Sequence, residues 1–141
     1  VNEDFKNAEG YLDPTPYEAI RNVDGRARPP FMPLVYICSP YSSNPEANTK
    51  RTREFCRFAL DHGRIPLAPH LMFPQFMSDT DPGERDLALF MDIVLMGKCQ
   101  ELWVLGDEIS AGMHLEIEKA NRRRQRVRYF NSRFEEVDSL A

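Results

Sequence analysis

Two short runs, LVYIC at 34–38 and ELWVLG at 101–106, restrict the fold more than any other feature of the chain. A strand that faces water on one side alternates polar and apolar residues. These runs do not alternate; they are continuously apolar and rich in β-formers, as strands covered on both faces must be. The segments between and after them carry helical periodicity. Asn44, Pro45 and Glu46 open a helix over 45–62, with Phe55, Phe58 and Ala59 along one side. A second helix is expected over 84–97, burying Leu87, Phe90, Met91 and Val94, and a third over about 110–124. IPLAP reads as a short strand with a proline-limited end, and RVRYF at 126–130 as the last strand. The tail NSRFEEVDSLA is ambiguous. Strands alternating with such helices form βαβ units. The expected class is therefore α/β, a small doubly wound (Rossmann/flavodoxin-like) parallel sheet with helices on both faces and right-handed crossovers.

A chain of 141 residues suits one such domain. Residues 1–33 are polar and punctuated by Pro and Gly, and read as an N-terminal extension. It holds one short helix in TPYEAIRNV, where Thr15 caps, Pro16 occupies N1 and Glu18 falls at N3. Residues 34–141 form the α/β domain. A net charge of -4 argues against a nucleic-acid or anionic-membrane partner. The arginines of NRRRQRVR suit the C-terminal end of a helix dipole. No apolar run approaches the ~18 residues of a membrane span. Cys38, Cys56 and Cys99 lack CxxC spacing and read as reduced thiols of a cytoplasmic protein.

Ligands of such sheets bind beyond the carboxyl ends of the strands. Here that edge is 39–45, 68–83 and 106–112. Tyr36 lies near the end of the first strand, and Ser39, Tyr41, Ser42 and Ser43 follow at once, able to bond a sugar or phosphate beside a helix N-terminus. His70 follows the second strand and is either a structural hydrogen-bonder or a ligand contact. Neither GxGxxG nor GxxxxGK[ST] is present. His62 and His114 have no partners at metal-ligand spacing, so no metal site is expected.

Two carboxylates stand out. Glu116 falls one turn after Met113 and four residues before Ala120, on the inward side of its helix, whereas Glu118 faces solvent and can pair with Arg122. An inward carboxylate is either ion-paired or functional. Asp92 interrupts the apolar LALFMDIVLM and borders the buried stripe; a cap, an ion pair with Arg85 or a place in a cleft would each account for it.

VYICSPYSS, MDIVLMGKCQELWVLG and ISAGMHLEIEKA together resemble the nucleoside 2-deoxyribosyltransferase-like superfamily, most closely its small uncharacterised bacterial and phage members. The resemblance covers roughly 34–130. It implies that Glu116, with Gly112 as the glycine of Gly-x-x-x-Glu, is a nucleophile, that Asp92 assists the base or the nucleophile, and that Tyr36 fixes the glutamate. It implies that the loop at 39–43, with Ser39, Tyr41, Ser42 and Ser43, holds the sugar phosphate; in the reaction so implied, His70 is placed to contact the sugar and Phe73, Phe76 or Met77 to stack on the base. The nucleotide hydrolases resembled carry an arginine in the first loop, whereas SPYSS holds no cation and Arg51 and Arg53 already lie in the helix. The implied reaction is N-glycosidic bond cleavage or transfer on a (deoxy)nucleoside or (deoxy)nucleotide, without metal or redox cofactor, in a homo-oligomer (dimer or tetramer). The competing expectation is a nucleotide- or nucleoside-binding protein without turnover.

Overall fold

The apolar runs pair as strands because each face of the sheet they build is covered by helix. The structure, a computed structural model, describes residues 31–139; the helix expected in TPYEAIRNV lies outside them. Strand β1 (Leu34–Cys38) leads through α1 (Pro45–Asp61) to β2 (Ile65–Leu67). Two 3-10 turns, Pro69–Leu71 and Phe73–Gln75, precede α2 (Pro82–Met96). Then come β3 (Glu101–Leu105), α3 (Ala111–Arg122), β4 (Arg126–Phe130) and β5 (Glu136–Val137). The sheet order is β2-β1-β3-β4-β5. The first four strands are parallel, and β5 runs antiparallel to β4. This is a doubly wound α/β fold whose switch point lies between β1 and β3, where the chain leaves β1 toward one edge and returns on its other side.

Register sorts the core into two layers. Tyr36 pairs with Leu102 and Cys38 with Val104 on one face; Ile37 pairs with Trp103 on the other. Tyr36, Cys38, Leu102 and Val104 pack with Met96 of α2 and with Met113, Ile117 and Ala120 of α3. Val35, Ile37, Trp103, Leu105 and Phe130 pack with Phe55 and Ala59 of α1. Phe55 lies within 5.2 Å of the Phe130 ring and 5.1 Å of Phe134, so the second layer is largely aromatic.

The helix ends follow local chemistry. Asn44 accepts from the Ala47 amide at 3.3 Å, and Ser110 from Met113 at 3.3 Å. Asp81 caps α2 by accepting from Gly83, so that helix starts at Pro82, two residues before the expected position. Its inward face also differs from the expectation. Leu87, Phe90 and Val94 are exposed, and the buried positions are Asp92 and Met96. LALFMDIVLM is apolar all round, so its periodicity does not single out the inward stripe.

The basic segment serves the fold. Arg122 pairs with Glu118 at 2.6 Å, Arg123 donates to the Ile93 carbonyl at 3.0 Å, and Gln125 donates to the Met96 and Cys99 carbonyls at 2.9 Å each. Arg126 and Arg128 both face Glu101 on β3. The ambiguous tail becomes a hairpin edge. The Asn131 side chain accepts from the amides of Arg133 and Glu135, Phe134 takes a left-handed φ of 60°, and Glu136 pairs with Arg128 at 2.7 Å.

Candidate active site

The loops after β1 and β2, the first half of α2 and the first turns of α3 surround a cleft of about 450 Å³ at the carboxyl edge of the sheet. Tyr41, Ser42, His70, Phe73, Asp92, Gly112 and Glu116 are among its lining residues. Ser39 and Ser43 are outside that lining. Ser39 is fully buried and accepts a hydrogen bond from Thr52 of α1 at 3.0 Å, anchoring the β1 loop to the helix that follows. Ser43 accepts from Asn48 at 3.1 Å and borders a separate depression beside Arg51 and Gly106. Tyr36 is buried in the sheet beneath Glu116 and lines no part of the cleft.

The floor of the cleft is acidic. Asp92 is 5% exposed and Glu116 3% exposed. A carboxylate oxygen of each and a ring nitrogen of His70 all lie within 4.8 Å of one another. Three polar atoms here are buried without a hydrogen-bond partner: His70 Nδ1, Asp92 Oδ1 and Glu116 Oε2. Such groups are uncommon in folded proteins and point to a guest. The ion pair considered between Asp92 and Arg85 does not form. Arg85 instead donates from Nε and Nη2 to the Asp79 carbonyl, at 3.1 and 2.9 Å.

Burial sets the protonation of this cluster. It pushes the Asp92 carboxyl from 3.8 up to about 7. Burial, and then the charge of Asp92, push Glu116 from 4.5 up to about 8, while hydrogen bonds from the Tyr36 hydroxyl and the Cys38 thiol work against that rise. Two like charges this close resist ionising together, so near neutral pH the pair retains a proton that belongs to both. Burial and the neighbouring Glu116 and Asp92 charges hold Tyr36 and Cys38 well above their ordinary ranges, which keeps both as donors. Burial lowers His70 below 6.5, opposed by the Ser39 backbone, and so favours the neutral imidazole.

Cys38, which the sequence offers only as a reduced thiol, is a member of this cluster. Its only signal is the two-residue spacing from Tyr36, which turns both side chains to one face of β1. The walls add groups that sequence reading does not select. Asp79, Arg85 and Asp86 line one side, and Leu89 and Leu115 give apolar surface near the floor. The Tyr41 ring lies 5.5 Å from that of His70, and Phe73 meets Phe76 edge-on at 6.0 Å. Phe76 itself is exposed, and Met77 lines the cleft.

No curated protein sequence matches the chain. Among solved structures, its fold is similar to that of a 2-deoxyribosyltransferase from Bacillus psychrosaccharolyticus, with a TM-score of 0.55 and 15% identity over 76% of this chain and 77% of that one. At that identity the likeness is one of fold. The family profile described as a domain of unknown function, DUF7768, matches residues 33–130. That span includes β1 to β4, the loops at the carboxyl ends of β1, β2 and β3 and both acidic residues of the cleft floor, and it makes the chain a member of the DUF7768 family.

Proposed function

We propose that this protein cleaves or transfers the N-glycosidic bond of a (deoxy)nucleoside or (deoxy)nucleotide, with Glu116 as nucleophile. The observation that carries the reading is the pair of buried carboxyl groups, Asp92 and Glu116, at the floor of a cleft at the switch point. One oxygen of each lies within 4.8 Å of one oxygen of the other. A water-mediated inverting reaction needs carboxyl groups about 6.5–9.5 Å apart, whereas direct attack by a carboxylate works at about 5–5.5 Å. The fold likeness to a 2-deoxyribosyltransferase supports the same chemistry.

In this mechanism Glu116 attacks C1' of the sugar as the glycosidic C–N bond breaks, and the departing base takes its proton from Asp92. The transition state resembles an oxocarbenium ion, which the negative charge on Glu116 stabilises. Water or a second base then attacks C1' of the glycosyl ester, returning a proton to Asp92 and freeing Glu116 with retained configuration. The hydrogen bonds from Tyr36 and Cys38 lower the cost of placing charge on Glu116 and so partly offset the burial and the Asp92 charge that raise it. Phe73 and Met77 offer apolar surface to the base, and Tyr41, Ser42 and His70 offer polar contacts to the sugar.

The charges of the lining favour an unphosphorylated nucleoside over its 5'-monophosphate. Arg85 is the one guanidinium among the described lining residues and is already bound to Asp79, while Asp79 and Asp86 add negative charge. The exposed Leu87, Phe90 and Val94 of α2 support a homo-oligomer. No helix among the described residues is long and apolar enough to cross a membrane. Three free thiols fit a cytoplasmic location.

The test is base release from a panel of deoxynucleosides and their 5'-monophosphates, with and without an acceptor base, followed by chromatography. Release that is lost in Glu116→Ala and kept in Glu118→Ala is the expected result. Release that survives Glu116→Ala excludes the mechanism. Ligand binding without turnover in the wild-type protein would instead identify a nucleoside-binding protein.

A further inference from the structure

We propose that His70, Asp92 and Glu116 form a three-ligand site for a divalent transition-metal cation of the zinc class on the floor of the cleft. The three residues come from the loop after β2, from α2 and from α3, and each contributes a ligand atom within 4.8 Å of the other two. All three also carry a buried polar atom without a partner, His70 Nδ1, Asp92 Oδ1 and Glu116 Oε2. Buried polar atoms without partners are uncommon, and a bound ion is one group that would satisfy them. One imidazole and two carboxylates are ordinary zinc ligands, and a fourth position open to the cleft matches a catalytic-type rather than a closed structural site.

Charge and orientation agree with this ligand set. Two carboxylates neutralise one divalent cation, which removes the like-charge repulsion that the floor otherwise holds. A ligating histidine usually donates its other ring N–H to a carbonyl, which fixes tautomer and ring direction. The His70 ring is hydrogen-bonded to the Ser39 backbone. One ring nitrogen of His70 lies within 4.8 Å of the two carboxylate oxygens, and the buried Nδ1 has no hydrogen-bond partner. The Ser39 side chain is itself held by Thr52 at 3.0 Å. Bonds of about 2.1 Å in a tetrahedral shell place ligand atoms about 3.4 Å apart. The present spacing is up to 4.8 Å, so binding requires the side chains to draw together by about 1.4 Å.

The proposal rests on the glycosyl reading in one respect only. A cation bound to Glu116 occupies the nucleophile, so metal and nucleoside compete, and zinc inhibits base release. Binding itself is independent of that reading and is measured without substrate.

The experiment is calorimetric titration of the chelator-stripped full chain with zinc chloride, repeated with cobalt(II) to record its visible absorption. About one equivalent per chain is expected, with cobalt bands typical of low coordination number. Loss of an outer partner of a metal ligand commonly weakens binding by about 10–100-fold, so loss of the ligand in His70→Ala should weaken it by at least about 100-fold. His70→Gln, which keeps a donor for Ser39, should behave the same way if the thermal melt of the alanine variant shows a damaged fold. His114→Ala, on the exposed side of α3, should bind as the wild type does. Absence of stoichiometric uptake, or uptake unchanged in both His70 variants, overturns the site. Where base release is detectable, inhibition by zinc that chelator reverses is expected, and indifference to saturating zinc overturns the competition. A protein that binds zinc at His70 but releases no base from any substrate leaves the site standing and removes the glycosyl reading.

Discussion

A carboxylate oxygen of Asp92 on α2 lies within 4.8 Å of one on Glu116 of α3, and both side chains are buried. Their folded-state pKa values lie above the ordinary 3.8 and 4.5, at about 7 and about 8. Below the ordinary values both groups are protonated in folded and unfolded chain alike, and the stabilising effect of their proton uptake is complete. As pH rises the unfolded chain ionises first, and that stability is lost until pH passes the folded values. The unfolding free energy should therefore fall between about pH 4.5 and pH 8 by an amount on the order of a few kcal/mol, and the melting temperature with it. Glu116→Gln and Asp92→Asn should each flatten the curve and be more stable than wild type at alkaline pH. Thermal melts across pH check this, and parallel curves for wild type and both variants would contradict it.

The same pair governs the proposed reaction. Chemistry requires one proton on the pair, charge on Glu116 and acid on Asp92. The profile of kcat/KM against pH is expected to be bell-shaped, with limbs belonging to the pair and lying near 7 and 8. Tyr36→Phe removes a hydrogen bond that holds Glu116 down, so its acidic limb should move to higher pH. Asp92→Asn should slow release of poor leaving bases by about 10²–10⁴-fold while good leaving groups suffer less. An unmoved acidic limb in Tyr36→Phe would separate the tyrosine from the nucleophile.

Thr52 donates to Ser39 at 3.0 Å in a buried setting, and Ser39 is absent from the cleft lining. Thr52→Val keeps the shape and removes the hydrogen bond, so a loss of about 1–2 kcal/mol in urea unfolding is expected. Ser39→Ala should likewise lower stability without changing KM directly. A rise in KM with unchanged stability would restore Ser39 as a substrate contact.

The sheet is legible where the chain runs continuously apolar. LVYIC and RVRYF coincide with β1 and β4, and ELWVLG overshoots β3 by one residue, because double-sided burial leaves a clear pattern. The cap Asn44 and the left-handed Gly63, with φ of 74°, bracket α1 in the same way. Helix α2 is different. Its surface residues are as apolar as its core ones, so sequence cannot choose between Phe90 and Asp92 for the interior, and the structure buries the aspartate. Strand β5 has two residues and no pattern of its own; it exists because Arg128 and Tyr129 offer an edge and an ion pair. In the site, the inward turn of Glu116 follows from Met113 and Ala120. The meeting of His70, Asp92 and Glu116 does not, because no local spacing links a loop and two helices.

The outward apolar stripe of α2 carries its own prediction. Phe90 is 65% exposed, with Leu87 and Val94 beside it on the helix surface. Under the homo-oligomer proposal, Phe90→Asp should dissociate the assembly and leave the far-UV circular dichroism unchanged. Light scattering after size exclusion reads the mass. A monomeric wild-type protein would sink the proposal, and an unchanged oligomer in Phe90→Asp would move the interface elsewhere.

Gly112 lies one turn before Glu116 on α3 and lines the cleft. A Cβ built there meets nothing within 4 Å, so packing does not demand glycine at this position. In a helix, alanine is favoured over glycine by about 0.8–1.0 kcal/mol. Gly112→Ala should therefore fold as well as wild type and melt slightly higher. Gly112→Leu should also fold, but its side chain extends into the space beside the Glu116 carboxyl. Base release should fall in order of side-chain size, with KM rising while the melting temperature holds. If Gly112→Leu turned over substrate as the wild type does, the sugar could not lie against the first turn of α3, and the proposed approach of C1' to Glu116 would need a different direction.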